Sequence, residues 1–172
     1  MDNFHEQLVT RRRNGEDIAK IIGIVLGSIV LAGACIFFGI GFNILILSFL
    51  GIGVMVLGLW LLGGIGVEYE YIITNNELDI DKIIGKRTRK RLITLDLKRA
   101  EEFCTYPPEK EIDCSTTVQA ATGWEKDARC LVVEHDDLGK VSVIFNPDEI
   151  TREAIVRELP KAVSARIKDD AK

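Results

Sequence analysis

The sequence predicts an α+β membrane protein: an N-terminal hairpin of two apolar helices, then a β domain of seven short antiparallel strands closed by a C-terminal helix. Three observations predict it. From Ile21 to Val67 there is no charged residue in 47 positions, and all 22 basic and 26 acidic side chains lie outside that stretch. From Glu68 onward, apolar residues alternate at period two between turn signals. After Phe145 the period becomes helical, behind Asn146-Pro147-Asp148-Glu149. A chain of 172 residues with net charge −4 holds one ordinary domain, or a small domain with an appendage. The uncharged stretch excludes a simple soluble enzyme of this length.

One straight helix of 47 residues would run about 70 Å at roughly 1.5 Å per residue. A bilayer core is about 30 Å thick, and tilt does not absorb that excess. Residues 18–67 therefore read as a two-helix transmembrane hairpin, with helices near 18–39 and 44–66. The break is Gly39-Ile40-Gly41-Phe42-Asn43, where two glycines meet the one strongly polar amide of the region. Eleven of the 15 glycines fall here. Gly23 and Gly27 stand at GxxxG spacing, Ser28 and Ala32 continue a small face, and Gly51, Gly53 and Gly58 are candidates to oppose them. Gly23, Gly27, Gly51 and Gly58 are the candidate helix-packing residues. Glycine is also simply common in membrane helices.

No ionisable residue lies within the spans, which argues against a proton relay. Arg11, Arg12, Arg13 and Lys20 precede the hairpin and Lys82 to Arg91 follow it, while the connecting turn has no positive charge. The positive-inside rule then gives a multi-pass protein of the bacterial cell membrane with both termini cytoplasmic. Ala32-Gly33-Ala34 before Cys35 resembles a cleavage site, but Ile36-Phe37-Phe38 stays apolar where mature chain would turn polar, so the first helix reads as retained. Trp60 falls where an aromatic belt belongs.

Residues 1–17 balance four acidic against three basic side chains. They read as a polar cytoplasmic arm, or as a short interfacial helix over Asn3–Arg13 with Phe4, Leu8 and Val9 on one face. Cys35, Cys104, Cys114 and Cys130 form no CxxC, and His5 and His135 stand alone. Neither a metal nor a cofactor is expected. Cys104 and Cys114 can approach across a hairpin, but a cytoplasmic location favours reduced, half-buried thiols.

The β domain spans 68–159. Its strands are expected at Glu68–Thr74, Leu78–Ile83, Arg87–Leu97, Glu101–Tyr106, Cys114–Thr122, Arg129–His135 and Val141–Phe145. Asn75-Asn76, Gly85-Lys86 and Asp136–Gly139 supply the turns. Pro107-Pro108 ends the fourth strand, an acidic loop follows at Glu109–Asp113, and Trp124 stands in the loop Gly123–Asp127, folded onto the core or exposed as an anchor. In the closing helix Asn146 is expected as the cap and Pro147 as the first helical residue. Ile150, Ala154, Ile155 and Leu159 form its apolar stripe. Residues 160–172 are a looser helix or a mobile tail.

Seven short strands and a capped helix resemble the pleckstrin-homology-like (PH-like) fold. The run Tyr71-Ile72-Ile73-Thr74-Asn75-Asn76-Glu77-Leu78-Asp79-Ile80, with Gly85-Lys86-Arg87 to Leu95 after it, resembles a hairpin and basic strand of one bacterial group. These are two-helix membrane proteins of unknown function that carry a cytoplasmic PH-like domain. The resemblance covers roughly residues 18–159. It implies a bent sheet or barrel closed at one end by the helix. The stretch 107–128, long and rich in Cys and Thr, departs from it.

Lys86, Arg87, Arg89, Lys90 and Arg91 put five positive charges in six residues, and Arg87, Arg89 and Arg91 share strand parity. They are the candidate lipid-binding residues, each offering about 1 kcal/mol of attraction near an anionic leaflet. The same charges suit a solvated edge strand guarded against aggregation, with Glu77, Asp79, Asp81 and Asp96 near enough to neutralise them. Nucleic acid is not an expected partner, since 18 basic residues face 22 acidic ones beyond the hairpin. Adjacent acid pairs such as Asp136-Asp137 point to opposite faces of a strand and make no dyad. Phosphate-loop, G-x-S-x-G and HExxH motifs are missing, so no catalytic residue is expected. The sequence thus suggests a membrane-anchored, non-enzymatic module whose PH-like domain docks a protein partner, assisted by anionic lipid. The alternatives are a scaffold forming homo-oligomers through its glycine-rich helices, and a lipid-headgroup sensor.

Overall fold

The computed structural model describes residues 4–108, 113–123 and 127–169. The chain divides into two compact units. A helical unit comprises Arg13–Gly66 with Ile84–Arg87, and a β unit comprises Met1–Arg12, Val67–Ile83 and Thr88–Lys172.

The helical unit holds α1 (Gly15–Gly41) and α2 (Leu45–Leu62), each long and apolar enough to cross a membrane. The first starts earlier than its hydropathy suggests because Asn14 caps it. The Asn14 side chain accepts from Asp17 N at 3.0 Å, and Asp17 Oδ2 accepts from Asn14 N at 3.3 Å, a reciprocal capping box. The hairpin turn falls where the glycines and amide placed it. Asn43 takes the left-handed conformation at φ 57°, which its short polar side chain tolerates, and Ile44 N donates to Gly39 O at 2.8 Å.

The two helices touch through missing side chains. A Cβ on Gly58 would lie 2.8 Å from the Ser28 Cβ, and one on Gly51 would lie 2.8 Å from Ile36 and 2.9 Å from Ala32 O. Gly39 meets Ser48 in the same way, at 2.8 Å from its backbone nitrogen. Ser28 and Ala32 thus face Gly58 and Gly51. Gly23, Gly27 and Gly53 have nothing within 4 Å of a built Cβ and point elsewhere.

Among the described residues the β unit has eight strands in two four-stranded sheets, one strand more than the sequence suggests. The first sheet runs β1 (Phe4–Thr10), β2 (Val67–Thr74), β3 (Glu77–Ile84) and β4 (Thr88–Asp96), in that spatial order. The extra strand is the N-terminal arm, which is neither a polar tail nor a helix. It pairs antiparallel with β2 from Phe4 opposite Thr74 to Thr10 opposite Glu68, and Arg11 N extends the ladder to Val67 O at 2.9 Å. Phe4 and Leu8, four residues apart, share one face of a strand as they would of a helix, so spacing alone did not discriminate. The deciding partner lies beyond the whole hairpin, which is inserted between β1 and β2.

The second sheet comprises β5 (Ala100–Thr105), β6 (Thr116–Gln119), β7 (Arg129–His135) and β8 (Gly139–Phe145), ordered β5-β7-β8-β6. It is not wholly antiparallel. The chain leaves β5 at one edge and returns at the far edge, where β6 runs parallel to β8 with Thr116 opposite Val141. β6 is also shorter than expected, and the turn Leu97–Arg99 that precedes β5 is a short 3-10 helix. Of the acidic loop, residues 109–112 lie outside the described residues.

Tyr69, Tyr71, Ile73, Leu78, Ile80, Leu95, Leu131, Val143 and Phe145 fill the core, with Tyr71 edge-on to Phe145 at 5.4 Å. Two helices follow, α3 (Glu149–Glu158) and α4 (Lys161–Asp169), divided at Pro160. The cap of α3 is Asp148 rather than Asn146, with Thr151 N donating to Asp148 Oδ1 at 2.7 Å. Ile150 is exposed, and Thr151 joins Ala154, Ile155 and Leu159 on the buried stripe. The segment after Pro160 is helical, and Val163 and Ile167 of α4 pack on the core.

Candidate functional site

The basic run separates into two environments. Arg89 forms ion pairs with Glu70 of β2 and Asp81 of β3, and Arg91 pairs with Asp79 and Asp81, both at 2.8 Å. Glu70 and Asp81 are only 4% and 3% exposed, and the paired guanidinium offsets the loss of water around their carboxylates. The Asp81 hydrogen bond in turn raises the Arg91 pKa above its ordinary value. Thr94 Oγ1 donates to Asp79 Oδ1 at 2.6 Å and completes the network. Two arginines facing three carboxylates leave this patch without excess positive charge.

Arg87 belongs to the helical unit. Its guanidinium lies 5.0 Å from the Trp60 ring centroid and donates to Trp60 O at 3.3 Å, satisfying one of the last carbonyls of α2. Beside it, Gly85 and Lys86 make the β3–β4 turn with φ of 59° and 57°. A Cβ at Gly85 would lie 2.7 Å from Gly63 O, so this turn demands glycine. Lys90 is exposed on β4. Within the helical unit Lys86 and Arg87 accompany the end of α2, and within the β unit Arg89 and Arg91 are held in the first sheet by carboxylates.

A second region gathers where β1, the start of β7 and the start of α3 meet around a cavity of about 440 Å³. Its frame is polar. The Gln7 amide donates to Asn146 O at 3.1 Å and accepts from Asp148 N at 3.0 Å, acting like a short piece of ladder. His5 Nε2 lies 3.0 Å from Thr151 Oγ1. Asn146 Oδ1 accepts from Thr122 N at 2.7 Å and from Thr122 Oγ1 at 3.0 Å. Asn146 N donates to the Tyr71 hydroxyl at 3.3 Å, and that hydroxyl donates to Ala120 O at 2.7 Å. Burial pushes the Tyr71 pKa up, which keeps the hydroxyl protonated as a donor. Asp127, Arg129, Glu149 and Arg152 give the cavity wall both signs of charge. Trp124 lies outside the described residues.

The sequence marked Asn146 as a helix signal but missed its role as a junction. Its partners at positions 7, 71 and 122 are distant in sequence, and no local pattern pointed to them. Among the described residues, no group of three or more His, Cys, Asp or Glu side chains is placed to hold a metal ion.

The chain matches no curated protein and no solved structure. Two sheets followed by C-terminal helices agree with a family description, bacterial PH-like domain, whose model matches residues 1–165. The chain belongs to that family, the bacterial PH-like domain family DUF6106.

Proposed function

We propose that this protein is a membrane-anchored interaction module. In this reading α1 and α2 cross the bilayer as a hairpin, both chain ends are cytoplasmic, and the PH-like unit docks a protein partner without catalysing a reaction. The observation that supports it most is the insertion of the hairpin between two paired strands. Here the ladder runs to Arg11 and Val67, so both connections to the helices are short. Leu26, Val30, Phe37, Ile40, Leu45 and Ile46 are all exposed on the helices, an apolar surface that lipid would cover.

On the β unit, β1 is an edge strand on which Phe4 and Leu8 are 64% and 55% exposed. An extended segment of a partner protein added to this edge would gain backbone hydrogen bonds and two apolar contacts. Anionic lipid has a secondary part in this reading, through Lys86 and Arg87 beside the end of α2. A second reading, self-assembly through α1, is favoured by one observation: Gly23 and Gly27 stay open in the hairpin. Gly23→Leu with Gly27→Leu would then abolish the oligomer and leave the monomer folded.

The test has two arms. Single cysteines replace Phe42 and Asp137 in a cysteine-free chain, and intact cells are treated with an impermeant maleimide. Labelling at Phe42→Cys alone supports the topology, whereas labelling at Asp137→Cys overturns it. Photo-crosslinking groups are then placed at Leu8 and at the exposed Lys98. One recurrent protein adduct at Leu8, lacking at Lys98, supports docking on β1; equal or no adducts overturn it.

A further inference from the structure

Three of the four free cysteines lie in the β unit, and two of them face each other. Cys104 of β5 stands directly opposite Cys130 of β7 in the antiparallel register. Further along the same register Tyr106 N donates to Ala128 O at 3.0 Å, which puts the cysteine pair at a hydrogen-bonded position. Such positions hold Cα atoms about 5.5 Å apart, within the range of about 4.4–6.8 Å that a disulfide spans.

Phe103, Leu131, Val143 and Phe145 point into the core, so by alternation Cys104, Cys130 and Ser142 occupy the other face of the second sheet. That face is covered: Cys130 is 2% exposed, and Val132, Ser142 and Ile144 are buried beside it. Cys104 is half-buried and offers the way in. Cys130 Sγ lies 3.2 Å from Ser142 Oγ. The neighbouring Cys104 thiol, helped by Ser142, brings the Cys130 pKa down to about 7 against the opposing effect of burial. Cys104 is pushed up in turn by its neighbour and by burial.

We propose that Cys104 and Cys130 form a reversible oxidation site for hydrogen peroxide, closing from a dithiol to a cross-strand disulfide. The Cys130 thiolate attacks one peroxide oxygen and the O–O bond breaks. Hydroxide leaves and takes up a proton as water, and Cys130 becomes a sulfenic acid. The Cys104 sulfur then attacks the Cys130 sulfur. The S–S bond forms, the S–O bond breaks, and the departing hydroxide takes the Cys104 proton as a second water. Two thiols lose two electrons, and the peroxide gains them. Peroxide is small enough to reach a covered sulfur that a bulkier oxidant cannot.

The experiment uses the full chain in detergent, treated with hydrogen peroxide, capped with a maleimide and mapped by mass spectrometry. The expected product is a Cys104–Cys130 linked peptide that a dithiol reductant removes. Cys104→Ser should leave Cys130 as a sulfenic acid trapped by dimedone. Cys130→Ser should slow oxidation of Cys104 roughly tenfold, because the Cys130 thiolate that reacts first with peroxide is gone. The linked peptide is sought in the unaltered chain, so the proposal stands or falls even if a variant misfolds. Oxidation confined to Cys35 or Cys114, a link between two chains, or thiols as resistant as a fully buried cysteine would each overturn it.

Discussion

The contact between α1 and α2 and the core of the β unit are assembled by opposite rules. The helices meet where side chains are missing: Gly51 and Gly58 let Ala32, Ile36 and Ser28 approach within the space of a methyl group. The β unit is filled instead, with Tyr71, Phe145 and Ile155 fully buried and the rings of Tyr71 and Phe145 in contact. In lipid, apolar surface gains little by leaving its solvent, so close backbone approach supplies the association. In water, removal of apolar surface supplies it. Adding atoms should therefore damage the first region, and deleting them should damage the second.

The largest expected effect tests the filled region. Phe145→Ala removes a ring that touches Tyr71 and Phe103, and should cost about 3–5 kcal/mol, read as a lower denaturant midpoint of the β unit's near-ultraviolet signal. Next comes the emptied region. Gly51→Leu should part the helices at a cost of about 1–3 kcal/mol, seen as a longer distance between spin labels on α1 and α2. Gly27→Leu, the same change on an open face, should leave that distance unaltered; equal damage from both would break the comparison.

Asn146→Ala leaves the Thr122 amide and hydroxyl without their acceptor and should destabilise the β unit by about 1–3 kcal/mol, measured by thermal unfolding. The smallest effect is expected at the surface. Arg91→Gln should cost less than about 1 kcal/mol, because the Arg91 side chain is half exposed, Asp79 keeps Thr94 and Asp81 keeps Arg89. Moderate salt should shrink that difference further.

The helical unit was the easier part to read. Hydropathy, two glycines and Asn43 located the turn to within a residue or two, because those signals are local. Which glycines face the partner was not legible, since adjacent helix positions differ by about 100° and Gly27 and Ser28 are neighbours. In the β unit most strands followed from alternation and the three tight turns from their Asn, Gly and Asp residues. The arm failed because its partner is distant: Phe4 meets Thr74 only across the whole hairpin. β6 was located inside its expected range, but its parallel direction was not legible, since its register depends on β8 rather than on β5 before it. At the candidate sites, Asp79 and Asp81 were named as neutralisers and do pair with Arg89 and Arg91. The opposition of Cys104 and Cys130 needs the β5–β7 register, which spacing does not supply.

The place of the hairpin between β1 and β2 has a consequence for biosynthesis. The ribosome delivers β1 first and β2 only after both apolar helices have emerged. Until then β1 has no strand to pair with. In a bilayer, the two strands can meet only if residues 10 and 67 finish on the same side. A chain that inserted one helix and left the other behind would strand β1 from its sheet, and the polar junction of Gln7 with Asn146 and Asp148 would stay unmade. If the hairpin crosses a bilayer, completion of the first sheet would therefore require that both helices insert as a pair.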